Sequence, residues 1–326
     1  MIRKLLTPLA PYLPLNRLIQ WSHQRSIFPF YHLITDHAPA HIKHLYPTRN
    51  IQTFEDDLDF FLRHFECIHP ENLRKKDHFP AHSFLLTFDD GLREFYEVVA
   101  PILRRKGVPA ICFLNSHFVD NKALFFRYKA SLLIEALENN PQLFKEVKLP
   151  EWVNASNFKQ ALKRIDYGQK HHLDALADLI GFSFEDYLQQ QQPYMNSSEI
   201  LELIDQGFYF GGHSMDHPLY HAISKEEQWR QTYESVQFAQ KAFNLPNAYF
   251  AFPFTDFDVK RTLFDQLESK NIISFGTAGL KKQNFPHHFQ RIPMEIGDYT
   301  AQQIIHTEYL YYLIKGPFGK NKMRRV

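Results

Sequence analysis

Short apolar runs recur along the chain at 28–34, 84–88, 110–114, 208–210, 249–252, 272–275 and 289–293, each the length of a buried strand. Between many of them the spacing turns helical. In 92–106, Phe95, Val98, Val99, Ile102 and Leu103 fall on one face, and Gly107 stands where a helix would stop. The stretches 226–243 and 259–270 read the same way. Strands alternating with helices predict an α/β fold with a parallel sheet, either a barrel or open. The segment 121–192 breaks this rhythm, with helical spacing at 128–137, 157–165 and 171–180 and no convincing strand. It reads as a helical insertion between two strands, either a lid that shapes a substrate site or a bundle packed on the barrel exterior. The expected division is a helical extension over 1–24, a barrel over 25–300, and a helix with a basic tail over 301–326.

Composition narrows the partners more than the fold. Of 326 residues, 44% are hydrophobic and 22% charged, as in ordinary globular proteins that bury a sizeable core. Lys and Arg number 37 against 36 Asp and Glu, so the overall charge gives no reason to expect nucleic acid as a partner. Phosphate-loop and dinucleotide glycine motifs are absent from the sequence. Cys67 and Cys112 form no CxxC pair, which leaves no disulfide framework and no thiolate metal site. The start, Arg3-Lys4-Leu5-Leu6, resembles a signal peptide, but Pro8, Pro11 and Pro14 interrupt it and no small-residue cleavage site follows. The expectation is a cytoplasmic or membrane-peripheral protein. The stretch 309–326, with Lys320, Lys322, Arg324 and Arg325, reads as a solvated basic tail or as one lying on an anionic membrane surface.

Two motifs carry chemistry. Leu86-Thr87-Phe88-Asp89-Asp90-Gly91 runs an apolar strand into two adjacent carboxylates. At the C-terminal rim of a barrel strand such acids sit where active sites assemble. Their mutual repulsion calls for a cation or a shared proton, unless they merely cap a helix. Gly211-Gly212-His213-Ser214-Met215-Asp216-His217-Pro218 offers two imidazoles at i and i+4, with glycines that let the backbone bend and with Ser214 and Asp216 able to orient the rings. The plain alternative is a chance pair in a turn, in a chain with 18 His. Together the motifs supply two histidines and one carboxylate for a metal with open positions, and leave the second carboxylate as a base.

These residues resemble the first two motifs of the polysaccharide deacetylase family, also called carbohydrate esterase family 4 or the NodB homology domain. Ala110-Ile111-Cys112-Phe113-Leu114 is similar to that family's second strand, and Phe250-Ala251-Phe252-Pro253-Phe254 to its third motif. The resemblance implies a distorted (β/α)7-8 barrel and a metal-dependent hydrolase that removes acetyl groups from N-acetylated sugars. It implies that Asp90, His213 and His217 hold a divalent metal, usually zinc, that Asp89 is the general base, that Pro253 and Phe254 wall the substrate groove, and that Ser214 supports the histidine loop. Two departures stand out. Ala251 replaces an arginine that pairs with the base in many members; Arg291, grouped here with the groove residues, is either a compensating charge or a rim ion pair. The C-terminal general acid has only His306 as its nearest candidate, on a helix-like stretch. Tyr31-His32 resembles the arrangement of the poly-N-acetylglucosamine branch, and His32 is assigned the acid role. The alternatives are the same fold acting on another non-peptide C–N bond and a catalytically weak carbohydrate-binding relative.

Overall fold

The computed structural model describes residues 2–76 and 79–325. Eight parallel strands follow one another around the sheet in chain order: β1 (Pro29–Tyr31), β2 (Leu86–Phe88), β3 (Ala110–Leu114), β4 (Tyr209–Gly212), β5 (Tyr249–Ala251), β6 (Ile273–Gly276), β7 (His288–Gln290) and β8 (Ile292–Pro293). β8 returns to pair with β1, placing Ile292 opposite Pro29. The result is a nearly closed, distorted α/β barrel. β3 is buried along its whole length, as expected for a parallel strand covered on both faces.

The apolar pattern located these strands, but two predicted runs prove to be double: 289–293 divides into β7 and β8, and 84–88 into an outer strand, Ser83–Phe84, and β2. The run 28–34 is preceded by another outer strand, Ser26–Ile27. The outer pieces join Glu66–Cys67 in a separate three-stranded parallel sheet that periodicity does not reveal. The predicted helix 92–106 begins as π-helix at Phe95–Val99 and becomes α-helix at Ala100–Lys106. Pro101 lacks the N–H that a regular ladder would need there. Gly107 ends the helix in the left-handed conformation that glycine adopts without cost (φ 68°).

Within 121–192 lie the helices Phe126–Asn139, Phe158–Arg164, His171–Ile180 and Phe184–Gln191. Leu133, Leu137, Leu162, Leu173 and Leu176 form their own apolar cluster, which also takes in Leu33 and Leu92. Those two follow β1 and β2, so the bundle lies over the C-terminal rim of the barrel. It is not packed on the outer wall.

The two ends of the chain meet. Leu15, Leu18 and Ile19 of the helix Leu15–Ser22 share the main core with Ile304, Ile305, Tyr309 and Tyr312 of the helix Ala301–Lys315. His306 is buried in this layer, its Nδ1 3.2 Å from the Ala10 carbonyl, so it lies away from the rim. The solvated-tail reading needs correction at one residue. Arg325 stacks its guanidinium 3.8 Å from the Phe264 ring centroid and pairs with the buried Asp256 carboxylate.

Candidate active site

The aspartate pair leaves β2 in opposite directions. Asp89 N–H donates to the Tyr31 carbonyl (3.0 Å), continuing the ladder, while Asp90 and Gly91 take left-handed backbone (φ 72° and 66°). That reversal sends the two carboxylates to different partners, and neither caps a helix. Asp89 meets Arg291. Asp90 Oδ2 accepts from the Tyr128 hydroxyl (2.8 Å), and its Oδ1 lies 3.3 Å from His217 Nε2 and 3.6 Å from His213 Nε2.

The histidines converge by a different route from helical spacing. Residues 213–217 form a loop, with Ser214 and His217 themselves in left-handed backbone (φ 66° and 63°). Each such residue costs about 1–2 kcal/mol, so the surrounding contacts must enforce the shape. Ser214 Oγ accepts from the His217 N–H (2.9 Å), which closes the loop. His213 Nδ1 faces the Ala251 carbonyl at 2.9 Å; donating there fixes the tautomer and turns the Nε2 lone pair inward. Burial lowers the His213 pKa to about 4, so the ring stays neutral. Asp216 does not orient either ring: it accepts from Tyr167 and Lys170 of the insertion and from Gln231. Nor do the two glycines serve a bend. A Cβ on Gly211 would meet the Tyr249 carbonyl at 2.6 Å, and one on Gly212 would meet Ser235 Oγ at 2.6 Å, so they allow close approach to β5 and to the helix Lys225–Phe243.

Arg291 also differs from its expected place among groove residues. It is fully buried inside the barrel, its guanidinium 4.4 Å from the Phe30 ring centroid, so it does not reach the groove. Nη1 and Nη2 donate to Asp89 Oδ1 and Oδ2 at 2.6 and 2.7 Å, a bidentate pair. Burial would raise the Asp89 pKa, but Arg291 and then His213 outweigh it and hold the carboxyl below its ordinary value. Arg291 thus contacts Asp89 where the family's arginine is replaced by Ala251.

His32 stands across a cavity of about 260 Å³ whose lining includes Asp89, Asp90, His217, Phe252 and Phe254. Its Nδ1 lies 2.6 Å from Glu295 Oε2, and Glu295 also accepts the His32 and Leu33 backbone N–H groups. Burial pulls the His32 pKa down, yet Glu295 and the aspartates override it and raise it to about 9. The ring remains 28% accessible, so its other nitrogen can reach the cavity. Of the expected wall residues, Phe254 lines the cavity at 42% exposure, whereas Pro253 is buried behind it.

Glu295 and Tyr128 were missed in the sequence. Glu295 lies two residues beyond β8, a rim position that could have flagged it. Tyr128 sits within an insertion helix, with no local signal.

The donor set fits a divalent cation. Asp90, His213 and His217 are all buried and each offers one ligand atom within 4.8 Å of the others. Asp90 Oδ1 and His213 Nε2 have no hydrogen-bond partner, a costly state unless something positively charged completes them. Two imidazoles and one carboxylate also leave open coordination positions.

The family model described as polysaccharide deacetylase matches residues 76–269, more than half of the chain. The chain belongs to the polysaccharide deacetylase family. Its fold is similar to that of the Streptococcus pyogenes deacetylase PplD (TM-score 0.55, 15% identity, 86% of this chain and 97% of that one). It is likewise similar to IcaB from Ammonifex degensii (TM-score 0.54, 14% identity, 88% and 97%). A de-N-acetylase from Aggregatibacter actinomycetemcomitans gives 0.53 at 13% identity, covering 86% and 99%. At these identities the likeness bears on the NodB-type barrel alone. No curated protein matches the sequence. The matched range includes the Asp89-Asp90 and His213–His217 motifs but excludes His32, Arg291 and Glu295.

Proposed function

We propose that this polysaccharide deacetylase hydrolyses the N-acetyl group of an amino-sugar polymer or oligosaccharide, using a divalent cation held by Asp90, His213 and His217. Two histidines and a carboxylate with open positions suit zinc. The observation that carries the reading is the buried convergence of those three side chains beside an independently anchored second carboxylate, Asp89. Bound there, the cation would polarise the acetyl carbonyl and acidify the attacking water.

The chain's own groups supply the proton transfers. Asp89, kept ionised by Arg291, accepts the proton of water as its oxygen bonds to the acetyl carbon. His32, kept protonated by Glu295, gives a proton to the nitrogen as the C–N bond breaks, so acetate and a free amine leave. The lost arginine at 251 favoured a catalytically weak binding relative, and the Arg291–Asp89 pair removes that argument. The Tyr31-His32 pair, which resembles the arrangement of the poly-N-acetylglucosamine branch, supports a substrate of that type.

The test is acetate release from N-acetylglucosamine oligomers of several lengths by the chelated protein, with and without added zinc. Release that depends on the metal supports the reading. Absence of acetate from every length, with one metal bound per chain, overturns it.

A further inference from the structure

The near-zero net charge hides a segregation. Residues 1–26 and 301–326 together hold nine Lys and Arg and one acid, Glu308, a net of +8. The whole chain is +1, which leaves residues 27–300 at −7. In the fold the two basic segments are one layer. The helices Ile2–Leu6 and Leu15–Ser22 and the turn Ala10–Tyr12 all pack on the helix Ala301–Lys315. Glu308 is buried and bonded to Arg3, so among the described residues the layer exposes cations and no side-chain carboxylate. Arg17, Lys320, Lys322 and Arg324 are exposed.

The same layer leaves apolar side chains in water. Leu5, Leu9, Tyr12, Trp21, Ile314 and Phe318 are 42–85% exposed, six of the eleven large apolar residues so exposed among those described. Concentration of this kind marks an interaction surface. Beside it a cleft of about 600 Å³ has Arg25, Lys76, Lys281 and Lys282 in its described lining, and no acid. The cleft is continuous with the layer, since Lys282 N–H donates to the Asn321 carbonyl (3.0 Å) and Met323 N–H to the Lys282 carbonyl (2.7 Å).

The chemistry of the layer selects its partner. A soluble polyanion would engage the cations but leave Leu5, Leu9 and Phe318 uncovered. A second copy would bring +8 against +8. No described helix is long and apolar enough to cross a membrane. A bilayer rich in anionic lipid meets both halves of the surface: headgroups take the cations, and the apolar side chains enter the boundary beneath them. We propose that the layer built from the two ends of the chain docks on an anionic lipid bilayer, holding the barrel at the membrane surface.

Flotation of the full chain tests this, using vesicles of phosphatidylcholine alone and of phosphatidylcholine with phosphatidylglycerol in equal parts. The chain should float only with the mixed vesicles, less so as salt rises. Its fluorescence should shift blue on binding, a shift lost in Trp21→Phe. Replacing the exposed Lys320, Lys322 and Arg324 together by Ser should weaken binding by about a hundredfold. Leu9→Ser with Phe318→Ser should weaken it without a charge change, and thermal melts of both variants should match the parent. Equal binding to the two vesicle types, or binding to neither, overturns the proposal. So does a folded charge variant that floats like the parent, or retention on immobilised heparin without flotation, which would assign the surface to a soluble polyanion.

Discussion

At the scale of single residues, neighbouring side chains of one type acquire opposite tasks from their surroundings. Asp89 and Asp90 differ by a left-handed turn, and that alone points one at a guanidinium and the other at two imidazoles. Asp90→Ala and His213→Ala should therefore release the metal, measured by elemental analysis, while Asp89→Asn keeps it and loses turnover by about a hundredfold or more. Full metal content in both of the first two variants would reject the ligand assignment. The His32–Glu295 pair gives a pH signature. Since the folded pKa is raised to about 9, the acid form persists through neutral pH and is lost above it, so turnover should fall on the alkaline side near that value. In Glu295→Gln only the two aspartates remain to oppose burial, and the alkaline limb should move down towards the ordinary histidine value of about 6.5. An unmoved limb would take the acid role from His32. The aspartates and histidines were legible because their chemistry is written in adjacent letters. Arg291 could be noticed but not placed, since its partner is 202 positions away, and Glu295 lies 263 positions from His32.

At the scale of elements, strand and helix positions followed from apolar spacing, whereas the uses of particular elements did not. The pattern of β4 showed a strand ending in two glycines, but not that a helix presses on them. Gly212→Ala should cost about 1–3 kcal/mol, read by chemical denaturation, because Ser235 Oγ and the Val236 backbone occupy the space of the new methyl. A variant as stable as the parent would mean the helix Lys225–Phe243 yields freely. The insertion was recognised as helical, and its placement over the rim depends on contacts with Leu33 and Leu92 that no local pattern encodes. Its helix Phe126–Asn139 also reaches into the site through Tyr128, which holds the outer oxygen of Asp90. Tyr128→Phe removes one hydroxyl and no ring, so the fold should persist while metal affinity falls about 10–100-fold in a competition with a chromophoric chelator. Unchanged affinity would leave Tyr128 a packing residue only.

For the whole molecule, the sequence carried the fold class and the Asp90, His213 and His217 half of the candidate site. It did not carry the layer joining the chain ends or the small second sheet, because both arise from segments that meet only after folding. One feature ties architecture to chemistry. Arg291 is the sole residue between β7 and β8: its backbone N–H still bonds Gly276 of β6, while that of Ile292 already bonds Phe28. The staple that shuts the cylinder is therefore also the clamp on Asp89, and a molecule whose seam gapes leaves the proposed base unheld. Inactivation by mild denaturant should then coincide with loss of amide protection at Arg291 and Ile292 and precede global melting, so that the weakest joint of the wall governs turnover.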